Sequence, residues 1–175
     1  MGNPKPPEKA ILFAGLLYSR EERYTLSLEL LKRHFPDVLF ITDPLVWEHT
    51  EYYREELGWP IYRRFITFKK IIDPSEIVNI KLLTNKIEEE LAQDGRRTVN
   101  IDPGYVTLSK VVLATTKNYA HRVYLGRGIY AEVTLYYKKG AFRPHEFTYR
   151  DYRTDKYIEI FGMIRESLKD LVAST

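Results

Sequence analysis

The run AILFAGLLY, Ala10 to Tyr18, has no polar side chain and limits the fold of this chain more than any other stretch. A strand with one wet face alternates apolar and polar residues, whereas a strand without polar residues has to be covered on both faces. The sheet that holds it therefore needs a layer on each side. Polar Ser19 ends the run, and REERYTLSLELLKRHF then sets Tyr24, Leu28, Leu31 and Phe35 at helical spacing, with Ser19 as N-cap and Glu22 closing a capping box.

The later segments supply the other layers. Pro36-Asp37 breaks the helix, and VLFIT (Val38 to Thr42) reads as a second strand. Leu45 to Pro60 is aromatic and charged without a period, so it is an irregular excursion holding one helical turn around TEYYREEL. The third strand starts at Ile61, with Ile61, Arg63, Phe65 and Thr67 on one face and Tyr62, Arg64, Ile66 and Phe68 on the other. DPSEIVNIKLLTNKIEEELAQDG carries a clear helix signature: Asp73 as cap, Pro74 at the first position, Glu76 three after the cap, and a stripe of Ile77, Ile80, Leu83, Ile87 and Leu91 that Gly95 ends. RTVNI (Arg97 to Ile101) is the fourth strand, and the order is βαββαβ, the split unit of ferredoxin-like folds.

Beyond it, Asp102-Pro103-Gly104 reads as a corner, and TLSKVVLATTKN as a short helix capped by Thr107. AHRVYLGRGIYAEVTLYYKKG is a hairpin with a three-residue loop, Gly126-Arg127-Gly128, with Gly128 left-handed. Its apolar face pairs Leu125/Ile129, Val123/Ala131 and His121/Val133; the other face sets Tyr124 against Tyr130 and Arg122 against Glu132. A charged, aromatic loop leads to a last helix burying Ile158, Phe161, Ile164, Leu168 and Leu171. The expected class is α/β of the α+β kind: a mainly antiparallel sheet, ferredoxin-like in its first half, extended by a β-hairpin and a C-terminal helix. The 175 residues fit a flexible polar tail (1–9) and a single domain (10–175).

Composition narrows the function. No apolar run is long enough to span a bilayer, no hydrophobic leader precedes the first strand, and there is no cysteine, which together suit a cytoplasmic protein. A net charge of +3 with interleaved signs gives nucleic acid no strong footprint. YYREELGWPIYRR does interleave aromatics with arginines as an RNA-binding platform would, but Glu51, Glu55 and Glu56 beside it repel a phosphate backbone. The 14 tyrosines suit half-buried faces, interfaces or a pocket wall.

No GxxxxGK[ST] is present, which removes a P-loop nucleotide site, and the glycines of LGRG have hairpin rather than dinucleotide spacing. TNKIE imitates the Asn-Lys-x-Asp element of GTPases from inside a helix, where it has no strand end to sit on. The four histidines form no metal motif; a divalent metal would need one of them, His121 first, joined by Asp43, Asp102 or Glu132 from distant positions.

Two features carry chemistry. Asp102-Pro103-Gly104 follows a strand, where ligand groups are commonly mounted, but a tight turn explains it equally well. Arg122 and Glu132 share a face with Tyr124, Tyr130, Thr134 and Tyr136, either as a cross-strand ion pair or as a pocket lining. If the two features meet, Asp102, His121 and Glu132 would do acid/base work or hold a metal. Lys110, Arg122 and Arg63 would then bind an anion that Tyr105 and Tyr124 position.

The segments RRFITF, IDPSE, IKLLTNKIEEE, RTVNIDPGYVTLSKVVLATTKNYAHRVYLGRGIYAEVTLYYKKG and YRDYRTDKYIEIF resemble, over nearly the whole chain, an uncharacterised prokaryotic family known only as a domain of unknown function, number 4416. Its members sometimes carry a GTP-binding label, which the missing P-loop argues against carrying over. The resemblance implies no activity. The residues themselves point to a protein that binds or acts on a small anionic ligand, phosphorylated ones included, at a tyrosine-rich pocket; a protein-interaction or homodimer module is the alternative and RNA binding the third reading.

Overall fold

The computed structural model describes residues 1–175. In chain order the elements are β1 (Ala10–Tyr18), α1 (Glu21–His34), β2 (Val38–Ile41), β3 (Leu45–Val46), α2 (Arg54–Leu57), β4 (Tyr62–Ile72), α3 (Ile77–Leu91), β5 (Val99–Val106), β6 (Lys110–Thr115), β7 (Val123–Gly126), β8 (Ile129–Lys138), β9 (Ala141–Arg143) and α4 (Asp155–Ala173). All strands join one nine-stranded sheet ordered β2-β4-β1-β5-β6-β8-β7, with β3 on β4 and β9 on β8, and every neighbouring pair is antiparallel.

All nine residues of β1 are buried, as an unbroken apolar strand requires. On one face Leu12, Leu16 and Tyr18 pack with Leu31 of α1 and Ile80 and Ile87 of α3. On the other, Ile11, Phe13 and Phe65 pack with Phe161, Ile164 and Leu168 of α4. The α4 stripe is turned slightly from the expected one: Tyr157 and Ile160 are buried, while Ile158 and Leu171 are only partly so.

The helix starts differ from expectation in one case. Asp73 and Glu76 form the capping box, around a 3-10 turn that leads into α3. At α1 the N-cap is Arg20, without a side-chain bond, and the Ser19–Glu22 box does not form.

Three expectations after residue 100 are corrected. NIDPGYV is no corner, because β5 runs straight through it to Val106. Proline is tolerated there because its position leaves no ladder bond to lose. The Ile101 amide donates to Glu88 of α3 rather than to β1, and by strand alternation Pro103 turns its nitrogen to that same side, where β6 pairs only from Gly104 onward.

TLSKVVLAT is a hairpin turn and strand β6, not a helix: Thr107 Oγ1 accepts from the amides of Ser109 and Lys110, and the β-branched Val111, Val112 and Thr115 settle into the sheet. The β7–β8 turn has two residues, not three. Arg127 (φ 54°) and Gly128 (φ 82°) both take the left-handed region, closing Gly126 onto Ile129 with Leu125 bulged out. The pairs Val123/Ala131 and Tyr124/Tyr130 form as expected; His121 lies before the strand, and Val133 pairs with Val112 instead.

Candidate functional site

The sheet splits in its middle. β5 pairs with β1 along its whole length, but with β6 only over Gly104–Val106, while β6 continues beside β8 as far as Thr115. A fork therefore opens between Val99–Pro103 on one side and Ala114–Thr115 on the other. The backbone it exposes at Ile101 is capped by α3: Glu88 Oε1 accepts from Ile101 N at 2.7 Å and Lys81 Nζ donates to Ile101 O at 3.3 Å. This is why polar Lys81 and Glu88 are buried beside the apolar stripe of α3, while buried Thr84 donates to the Lys81 carbonyl of its own helix.

The α4 side of the fork holds the ionisable residues. Arg63 on β4, 3% exposed, crosses over β1 at Gly15, where an added Cβ would lie 3.0 Å from its Nη1. It donates to Asp102 Oδ2 at 2.9 Å and to Asp151 Oδ2 at 3.4 Å, and Trp47 Nε1 also donates to Asp151. Asn100 Nδ2 holds the same Asp102 oxygen at 3.0 Å, and Asn100 is itself held by Arg97, which forms a bidentate pair with Glu56 at 2.7 and 2.8 Å. Two donors thus fix Asp102 Oδ2, while Oδ1 has no hydrogen-bond partner and the side chain is 29% exposed.

Burial works to raise the Asp102 carboxyl, but the charges of Arg63 and Lys81 and the bonds from Arg63 and Asn100 outweigh it and hold it below the usual aspartate range. A group depressed in the folded state contributes stability that is complete above its unfolded value, about pH 4, and is lost as pH falls through the folded one. Thermal unfolding followed downward from neutral pH should show this acid limb, and Asp102→Asn should flatten part of it.

The second group sits on the hairpin. Glu132 Oε2 accepts from Arg122 Nε at 3.0 Å and lies 2.7 Å from His121 Nε2; Arg122 also donates to the Lys117 carbonyl and to the Tyr149 hydroxyl. Burial, then the Glu132 charge, push the Tyr149 phenol up, so it keeps its proton. Because its oxygen accepts from Arg122, that proton remains available to a ligand. Tyr149 belongs to this second group through its bond from Arg122, while Tyr53 packs against Trp47, which donates to Asp151 of the first. Lys117 follows the end of β6 on the open side of the fork, its Nζ 5.0 Å from the centre of the Tyr52 ring.

Of the expected site residues, Asp102 and Arg63 thus meet at the fork, and Arg122, Glu132 and His121 form a second group on the hairpin, where Glu132 stands opposite Leu113 as Gly104 does on the other side. Tyr105 does not join them: it lies three positions from Asp102, hence on the opposite face, and is buried in the α1–α3 core. Lys110 pairs with Tyr136 at the far end of the β5–β6 hairpin, and the Tyr124 hydroxyl accepts from the Gly128 amide at the β7–β8 turn. No three His, Asp or Glu side chains converge as a metal set. Asp151, Tyr149, Asn100 and Lys117 escaped the sequence reading; the density of charge and aromatics in FRPHEFTYRDYRTDKY was the only signal for the first two.

A hollow of about 950 Å³ lies elsewhere, along α4 between Phe40–Leu45 and Tyr137–Phe142, half of its lining apolar. It holds none of the oriented side chains just described. The sequence model of one protein family matches residues 8–168. The chain belongs to that family, the domain of unknown function DUF4416. No curated protein and no solved structure matches this DUF4416 chain. No helix of it is long and apolar enough to cross a membrane.

Proposed function

We propose that this protein binds a small hydroxylated ligand bearing an anionic group at the mouth of the β5–β6 fork. The observation that carries the reading is the state of Asp102, a carboxylate with one oxygen clamped by Arg63 and Asn100 and the other without a partner. A charged acceptor held in one orientation suits a ligand hydroxyl, and its lowered proton affinity favours holding over proton abstraction. Tyr149, held by Arg122 on the hairpin, would offer the ligand a donor.

The anionic group falls to Lys117. Arg63 is committed to two carboxylates and Arg122 to Glu132, whereas Lys117 lies at the rim in no carboxylate pair. Glu132, 4% exposed and bonded to both Arg122 and His121, then serves the site by fixing Arg122 and through it Tyr149.

A thermal-shift panel of nucleotides, sugar phosphates, hydroxycarboxylates and simple polyols tests this. A ligand at a hundred times its dissociation constant stabilises the fold by about 2.7 kcal/mol, or about 5–10 °C for a chain of this size. The expected hit is a hydroxylated anion whose shift, taken from each variant's own baseline, vanishes in Asp102→Asn and shrinks in Lys117→Ala. Silence across the panel, or a hit that survives both changes, overturns the reading.

A further inference from the structure

We propose that the β7 edge of the sheet is the contact of a two-fold dimer, in which the sheet runs on from one copy of this chain into a second. β7 is the last strand of the order and pairs only with β8, so its outward N–H and C=O groups have no partner. Natural sheets guard such edges with charges, prolines or covering loops. The chain does so just beyond β7, where Thr148 Oγ1 donates to the Thr134 carbonyl, His145 bonds the Val133 carbonyl, and β9 pairs with β8. β7 itself, Val-Tyr-Leu-Gly, has no charge, proline or covering loop, only its shortness and the bulge at Leu125.

Its side chains are apolar and exposed. Val123 is 67% exposed, Tyr124 58% and Leu125 42%. Tyr119 and Phe147, 59% and 50% exposed, each stack on the ring of His121 just before the strand. These five side chains leave roughly 500 Å² in water. A standard interface takes about 800 Å² from each partner, of which about 60% is apolar, so the patch has the size that one half of a dimer needs.

Charge selects a second copy as the occupant. Antiparallel pairing about a two-fold axis brings a strand against itself, so a charged edge opposes its own charge. The opposite edge of the sheet, β2, is bracketed by Asp37 and Asp43 and would repel its own copy. β7 carries no charge, Arg122 before it is buried against Glu132, and Arg127 after it is bonded to Asn79. The pairing also stacks the second copy beside the 115–122 loop that closes the fork.

Sedimentation equilibrium from low to high micromolar concentration reads the mass directly. The wild-type chain is expected to pass from monomer to dimer, and Val123→Asp and Leu125→Lys, both at exposed positions, to remain monomeric with unaltered circular dichroism. Amide exchange gives an independent reading, with protection at residues 123–125 rising with concentration. A chain that stays monomeric throughout, a dimer that survives both substitutions, or exchange at β7 indifferent to concentration overturns the proposal. None of these outcomes touches the ligand reading, which Asp102→Asn decides.

Discussion

Arg63→Met should cost the fold about 3–5 kcal/mol at neutral pH, the range found when one partner of a buried ion pair is removed. The guanidinium lies between Asp102 and Asp151, and methionine fills much of its volume, so the loss would be electrostatic rather than a cavity. The two carboxylates left behind would lose their cation in a poorly hydrated site, which raises their folded proton affinity above the unfolded value. Such groups add stability as pH falls, so the gap between variant and wild type should narrow from pH 7 towards about pH 4, as chemical denaturation at several pH values would show. Adding Asp151→Asn to the variant should recover part of the loss. A gap that is constant with pH would mean that Arg63 acts by packing alone.

Gly104→Ala should be as damaging for a steric reason. An added Cβ would stand 2.6 Å from Phe13 Cζ and nearer still to the Val112 carbonyl oxygen. The ring is locked edge-on against Phe65 and Phe161, and the oxygen belongs to the backbone of β6, so neither yields by a rotamer change. Overpacking of this kind costs about 3 kcal/mol or more, a fall in melting temperature of roughly 10 °C for a chain of this length. Gly140→Ala is the useful contrast: its added Cβ meets nothing within 4 Å, and the loss there comes only from the left-handed backbone at φ 82°. If Gly104→Ala melts within a degree or two of the wild type, β5 and β6 are not held as closely as described.

Both effects arise in a region whose parts were unequally legible in the sequence. The doubly covered first strand, the Asp73–Glu76 capping box, the opposed faces of Arg63 and Arg64, and the Arg122–Glu132 and Tyr124–Tyr130 pairings all follow from local periodicity. The β6 segment failed because Leu108, Val111, Val112 and Thr115 satisfy both a helical and a strand period, and only a neighbouring strand decides between them. Pro103 and Gly104 misled more deeply. They are the usual punctuation of a turn, yet here the proline faces a gap in the ladder and the glycine admits a close neighbour, both of which depend on where β6 lies.

The site was half visible for the same reason. Asp102, Arg63, Arg122, Glu132 and His121 stand out as charged residues in or beside strands. Nothing local ties Asp151 to Arg63, 88 positions away, or tells that Lys81 and Glu88 turn inward to serve the backbone of Ile101.

The seam between β5 and β6 consists of only three residue pairs, Gly104–Leu113, Tyr105–Val112 and Val106–Val111. Mechanically the sheet is two plates, β2-β4-β1-β5 and β6-β8-β7, glued along a short line and braced from behind by α4. Any load that pries the plates apart concentrates at the end of that line, as stress does at the tip of a crack. Gly104 occupies the tip, two residues from Asp102, so how far the crack runs is also how wide the mouth stands.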